Sequence, residues 1–356
     1  MHILKNLYIF FALLTSIIFF FSTAKVQAKS FEISNIEVSK PFEKNFSKNE
    51  VLDIGFRKGF FELINSILRS EDIKKIDRIR LNEIKSMIES FSIKEEKFIK
   101  EVYYVTLGVT FDKKKIFDYL EKKNIFPSQI NKQTFLFIPI IINENSEDLT
   151  IFSGNVIYEN WNNQNNKSQL ISYLLPSEDL EDLNLIKSKS EIIENYDFKE
   201  IIKKYDLEDF IIVIIFKNKN NYRVLSKIKL EDSFKIYNQE FKITNFSNVE
   251  EIKTILFSLK NKYEDSWKVI NQINTSIKLP LTVSIDAKEY SKIQNLENVF
   301  NELDLISSFK ILNFDNQNVY YRLIYNGSPN KFINEMNDKN IKINTENKIW
   351  KIQWEI

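Results

Sequence analysis

Four carboxylates within five positions, Glu178, Asp179, Glu181 and Asp182, are the residues of this chain whose types and spacing could do chemistry. Paired carboxylates can divide general acid and base work between them or hold a hard cation. The run lacks the glycine-turned, alternating spacing of a calcium loop. Acids just after a capping Ser177 also suit the first turn of a helix, where the dipole favours negative charge. Other chemistries have less to work with. His2 is the only histidine and cysteine is absent, so imidazole and thiolate catalysis, and zinc, haem or iron–sulfur ligation, are not expected. The five glycines, Gly55, Gly59, Gly108, Gly154 and Gly327, are too scattered for a phosphate loop or a dinucleotide fingerprint. Ser86, Ser90 and Ser92 read as lying on or beside an amphipathic helix, without a convincing S-x-x-K context. Trp350 and Trp354 alternate with the polar Lys351, Gln353 and Glu355 and share a face with Ile352 and Ile356, which points to core packing ahead of an exposed platform for a glycan or partner. No catalytic, cofactor-binding or metal-ligating residue is assigned, and no cofactor is expected.

The elements that must position these residues fall into three regions. In the first, 29–131, Ser47 and Glu50 have the spacing of a capping box ahead of a helix carrying Val51, Gly55, Phe56, Phe60, Leu63, Ile64 and Ile67. Gly55 and Gly59, one turn apart, suit close helix packing. Leu81, Ile84, Met87, Ile88 and Phe91 predict a second helix. Tyr103 to Phe111 alternates as a half-buried strand, and Asp112 can cap a helix carrying Ile116, Phe117 and Leu120. The central region, 132–275, opens on the continuous apolar run Phe135 to Ile142, suited to a strand covered on both faces, with Pro139 requiring an edge or bulge on one side. Helical spacing recurs at Val156 to Trp161, Leu180 to Ile186 and Phe198 to Tyr205. Phe210 to Phe216 is a second buried strand, Val224 to Leu230 and Ser233 to Ile236 are antiparallel additions, and a long helix carries Ile252 to Ile270. The last region, 276–356, reads βαββαβ, the ferredoxin-like arrangement, closing on a strand that buries Trp350 and Trp354. The fold class is therefore α+β and multi-domain, with an α/β middle.

Residues 1–28 have the form of a cleavable signal peptide: Lys5, an apolar run of about 15 residues from Leu7 to Phe21, and Val26-Gln27-Ala28 before the cut. A spanning helix needs roughly 20 apolar residues, so a mature protein beginning at Lys29, with no integral membrane span, is expected in the periplasm. Losing Lys5 and Lys25 takes the 50 basic side chains to 48, against 49 acidic ones. That balance gives no electrostatic footprint for nucleic acid. Without cysteine, the exported fold must be held by its core alone.

The segment Leu174-Leu175-Pro176-Ser177-Glu178-Asp179-Leu180-Glu181-Asp182, then Asp197, then Lys204-Tyr205-Asp206-Leu207-Glu208-Asp209 running into an apolar strand, resembles the exported bacterial proteins of the domain-of-unknown-function 2066 family. The resemblance implies export and an α/β arrangement and brings no reaction. It leaves function open; with no assignable catalytic site, the expectation is a non-catalytic accessory or binding factor in an envelope process, with an envelope protein or cell-wall component as partner. The alternative is a carboxylate-dependent hydrolase acting on cell-wall glycan, with Asp179 or Glu181 as its acid. The two differ in what they need: a cleft where acids from distant segments converge, or an apolar or edge-strand surface without such convergence.

Overall fold

The computed structural model describes residues 30–354, apart from 147, 164–167, 232, 243–247 and 289; the expected signal peptide, 1–28, and the end of the expected last strand, Glu355 and Ile356, lie outside the described residues. The fold is α+β. One compact unit comprises Ile33–Val109 with Phe117–Asn274, and a second gathers Thr275 onward with Thr110–Ile116. Among the described residues, no helix is long and apolar enough to cross a membrane.

The first sheet has the order β1-β3-β2, with β1 at Ser30–Pro41, β2 at Ile88–Ile99 and β3 at Val102–Asp112. Helix α1 (Lys48–Ile67) buries the face read from its sequence, although Ser47 makes no side-chain cap. A Cβ on Gly55 would strike Leu107 of β3 and lie 3.5 Å from Val38 of β1, so the glycine lets helix and sheet approach. After the short α2 (Ser70–Ile73), α3 (Leu81–Met87) ends sooner than its sequence suggested. Ile88 and Phe91 belong to β2, and so do Ser90 and Ser92; only Ser86 is helical. The reason lies in the turn. Lys100 and Glu101 both have positive φ, 49° and 61°, as a two-residue hairpin of the favoured twist requires, and this turn pairs 88–99 back onto β3. Helix α4 (Lys113–Glu121) follows, with Asp112 accepting the Lys115 N–H at 3.0 Å.

The second sheet positions the candidate sites. Its order is β5-β4-β7-β8-β9, with β6 also on β4. The strands are β4 (Gln133–Asn143), β5 (Asp148–Thr150), β6 (Ile171–Leu174), β7 (Phe210–Asn218), β8 (Asn221–Leu230) and β9 (Ser233–Lys242). Strand β4 runs parallel to both β6 and β7, so it is central and covered on both faces. Phe135, Phe137 and Ile141 pack with Trp161 and with α8 (Val249–Ile270); Leu136, Ile138 and Ile140 pack with Ile186, Ile193, Phe198 and Ile201. Pro139 falls in the gap between β6, which stops at Leu136, and β5, which starts opposite Ile141. Asn155, fully buried, fills that gap. Its Nδ2 donates to the carbonyls of Pro139 at 3.0 Å and Thr150 at 3.2 Å, while its Oδ1 accepts the N–H groups of Ile157 and Tyr158 and so caps α5 (Val156–Asn160). Short helices α6 (Leu180–Ser188) and α7 (Lys199–Ile202) cover the other face.

Elements of the second unit are β10 (Leu279–Asp286), α9 (Tyr290–Glu302), β11 (Ile306–Phe314), β12 (Asn318–Tyr325), α10 (Pro329–Asn337), β13 (Ile341–Asn344) and β14 (Trp350–Trp354). The expected βαββα run is present, and Ser328 accepts the Lys331 N–H ahead of Pro329. The ending differs from the ferredoxin-like expectation. The chain after α10 forms a hairpin, β13-β14, and the final strand inserts parallel to β10, giving the order β11-β12-β10-β14-β13. The four-residue β13, Ile341 to Asn344, is short enough to read as a loop. Ile352 is buried, whereas Trp350 and Trp354 are half-buried rather than enclosed, with Trp350 packed at 6.1 Å from the Phe332 ring.

Candidate functional site

The acidic turn occupies the start of α6. Asp179, not Ser177, is its cap, accepting the Glu181 N–H at 2.8 Å. Lys204, in the single 3-10 turn that follows α7, donates to Asp179 at 2.8 Å and to the buried Asp182 at 2.7 Å. The hydrogen bond from Lys204, followed by that from the Glu181 backbone, holds Asp179 below its ordinary carboxyl range. Asp179 is thus ionised at neutral pH and has no proton to donate. Glu178 and Asp179, with Asp148 of β5 and Lys187, border a cleft of about 430 Å³. The turn is a cap and a lysine clamp, and Glu181 is exposed on its outer side. Among the described residues, no group of three or more carboxylates is placed to hold a metal ion.

A larger cleft, about 590 Å³, lies on the same side of the second sheet, where the α6–α7 layer gives way to the face of β8 and β9. Strand alternation builds it. Lys227 and Lys229 of β8 pair with Ile236 and Phe234 of edge strand β9, so all four project to one face. The opposite face of β8 carries Tyr222, Val224, Ile228 and Leu230, packed against α8. Phe210, Ile212, Ile202 and Leu207 complete the apolar lining. Phe234 and Ile236 remain 56% and 58% exposed. The far wall is 194–197, followed by Phe198, a buried aromatic at φ 57°. Such a conformation in a bulky residue costs about 1 kcal/mol or more, and here it turns the chain so that the Tyr196 carbonyl faces Lys227.

Lys227 is the group that distinguishes this cleft. Only 6% exposed, it donates one hydrogen bond, to the Tyr196 carbonyl at 2.9 Å, and lies 5.7 Å from the centre of the Phe198 ring. No ion pair to it is present among the described residues. Burial pushes its amine below the ordinary lysine range, partly offset by Glu194 and Asp197. Those two acids have nearer partners: Glu194 accepts from Arg223 at 2.5 Å, and Asp197 pairs with Lys199 at 2.9 Å. Lys229 donates to the Glu208 carbonyl at 3.1 Å. The cleft therefore offers an apolar floor and a shielded cation, an arrangement for holding a ligand.

The sequence reading placed β8 and β9 but did not single out Lys227, Phe234 or Ile236. The usable signal was the period-two pairing of Lys227 and Lys229 with exposed apolar residues across the Glu231 turn. A scan of known protein families finds none that matches this chain. A search of curated proteins finds no relative.

Proposed function

We propose that this chain is an exported binding factor of the bacterial envelope, delivered to the periplasm by a signal peptide spanning 1–28, and that it belongs with the domain-of-unknown-function 2066 proteins its central segment resembles. Its work is recognition, not bond cleavage. The observation carrying this reading is the open face beside β9, where Phe234 and Ile236 stand exposed next to an apolar cleft. Exposed apolar surface joined to a formed cleft marks a binding site. The acidic turn supports the same side, since a hydrolase using Asp179 as its acid would need that carboxyl protonated and Lys204 keeps it charged.

The test has two parts. N-terminal sequencing of the protein from a periplasmic fraction should begin at Lys29, and a start at Met1 on membrane-bound material would overturn the export assignment. Crosslinking in intact cells should capture an envelope component with the wild-type chain and lose it with the Phe234→Asp, Ile236→Asp variant. Equal capture by both chains removes this face from the function.

A further inference from the structure

We propose that the cleft beside β9 binds a single-chain alkyl carboxylate, the acyl chain lying over Phe210, Ile212, Phe234 and Ile236 and the carboxylate closing on the Lys227 ammonium. The inference deepens the binding reading above and rests on it.

The charge supplies the first argument. An ammonium taken out of water without a counter-charge is costly, and proteins ordinarily pair it or neutralise it. Lys227 is only 6% exposed and no carboxylate lies in hydrogen-bond reach of it among the described residues: one carbonyl and one ring face are its described contacts, which leaves donors unspent on a lysine that carries three. A bound carboxylate would give the charge the partner the protein withholds. The neighbouring acids Glu194 and Asp197 offset the burial only in part and from beyond contact, because Glu194 is held by Arg223 and Asp197 by Lys199, and Glu208 is exposed at the rim.

The surroundings supply the second argument. Each cation on β8 stands beside an exposed apolar side chain on β9, Lys227 with Ile236 and Lys229 with Phe234. A ligand filling this surface must be apolar along its length and anionic at one point. An inorganic anion would gain nothing from the apolar residues, and a neutral hydrocarbon would leave Lys227 uncompensated. The volume, about 590 Å³, lies within the range of small-ligand sites.

The experiment uses purified mature protein and dodecanoate, with dodecanol and dodecyltrimethylammonium as uncharged and cationic comparators, read by calorimetry. Dodecanoate should bind one to one and more tightly than either comparator. Lys227→Met, which keeps the stem and removes the charge, should weaken dodecanoate by about tenfold to a hundredfold while leaving dodecanol unchanged. Phe234→Asp, at an exposed position that folding does not need, should weaken both dodecanoate and dodecanol. A third measurement needs no variant: dodecanoate should protect Lys227 in the wild-type chain from an amine-acylating reagent, read by peptide mass spectrometry. Equal dodecanoate affinity in Lys227→Met, or unprotected Lys227, overturns the proposal and makes the lysine a pin for the Tyr196 carbonyl. Preference for a dodecyl phosphate or for a peptide with an apolar C-terminus also overturns it. If dodecanoate fails while the Phe234→Asp, Ile236→Asp chain still loses its envelope partner, the ligand class falls and the binding role stands.

Discussion

Replacing Asn155 tests how the central sheet tolerates a proline in its most buried parallel strand. The side chain makes four hydrogen bonds, two to carbonyls beside the Pro139 gap and two from the first N–H groups of α5. In Asn155→Ala the helix loses its cap, worth about 1 kcal/mol. The Pro139 and Thr150 carbonyls lose their donor at a site with no exposure, which adds roughly 1–3 kcal/mol. The expected loss is about 2–4 kcal/mol, measured by urea unfolding followed through Trp161 and Trp267 fluorescence. Asn155→Asp separates the two contributions. One oxygen can still cap α5, but the other replaces the donor between two carbonyls and is repelled when ionised. Its folded pKa must then lie above the unfolded value of about 3.9, so the variant's stability relative to wild type should rise as pH falls from 7 through the folded pKa and level off below the unfolded one. An alanine variant as stable as wild type, or a pH-independent gap for the aspartate, refutes this account of how the proline is accommodated.

Three further outcomes follow from particular contacts. Gly55→Ala should destabilise despite a helix-propensity gain of about 1 kcal/mol, because overpacking against Leu107 costs about 1–3 kcal/mol. Leu107→Val in the same chain should recover part of that loss, and a double-mutant cycle with no coupling would show that the two do not meet. Lys204→Met should flatten the acid side of the stability–pH curve: Asp179 has a lowered folded pKa, its contribution is present above the unfolded value and lost as pH falls through the folded one, and Lys204 is the first cause of that lowering. The gap between wild type and Lys204→Met should therefore narrow on acidification, and a constant gap would disconnect the clamp from Asp179. Trp350→Ala and Trp354→Ala, each half-buried, should cost about 1.5–3 kcal/mol, below the 3–5 typical of a fully buried tryptophan; a loss under about 0.5 would return that face to the list of binding surfaces.

Where the sequence spoke clearly, one physical cause acted alone. The apolar run of β4 suited a strand covered on both faces, and Pro139 asked for an edge or a bulge on one side, so both were legible without knowing the partner. The long helix α8 announced itself through a spacing sustained over 22 residues. Errors arose where tertiary pairing overrode a local pattern. Ile88 and Phe91 continue the spacing of α3, yet a hairpin at Lys100-Glu101, made without the usual Asn or Gly, recruits them into β2. In the C-terminal unit, four residues after α10 suffice for β13, and that hairpin turns the last strand parallel to β10.

The candidate site was hidden for a related reason. Acid clusters draw attention because they are contiguous in sequence, but Asp179 and Asp182 are consumed by Lys204, which lies 22 residues beyond Asp182 and is an ordinary surface lysine in the linear chain. Lys227 is equally ordinary in Leu225-Ser226-Lys227-Ile228, where any solvated strand could carry it. What makes it unusual is topology. The helical layer of α6 and α7 covers β4 and β7 and stops over β8, and β9 is an edge, so the lysine is caught under the margin of that layer instead of reaching water. No local pattern encodes where a covering layer ends. The same margin leaves Phe234 and Ile236 uncovered, so the cleft, its cation and its apolar rim share one origin. A single change that extended the cover over β9 should bury the rim and abolish the proposed binding together, whereas changes to the acidic turn should leave the proposed binding intact.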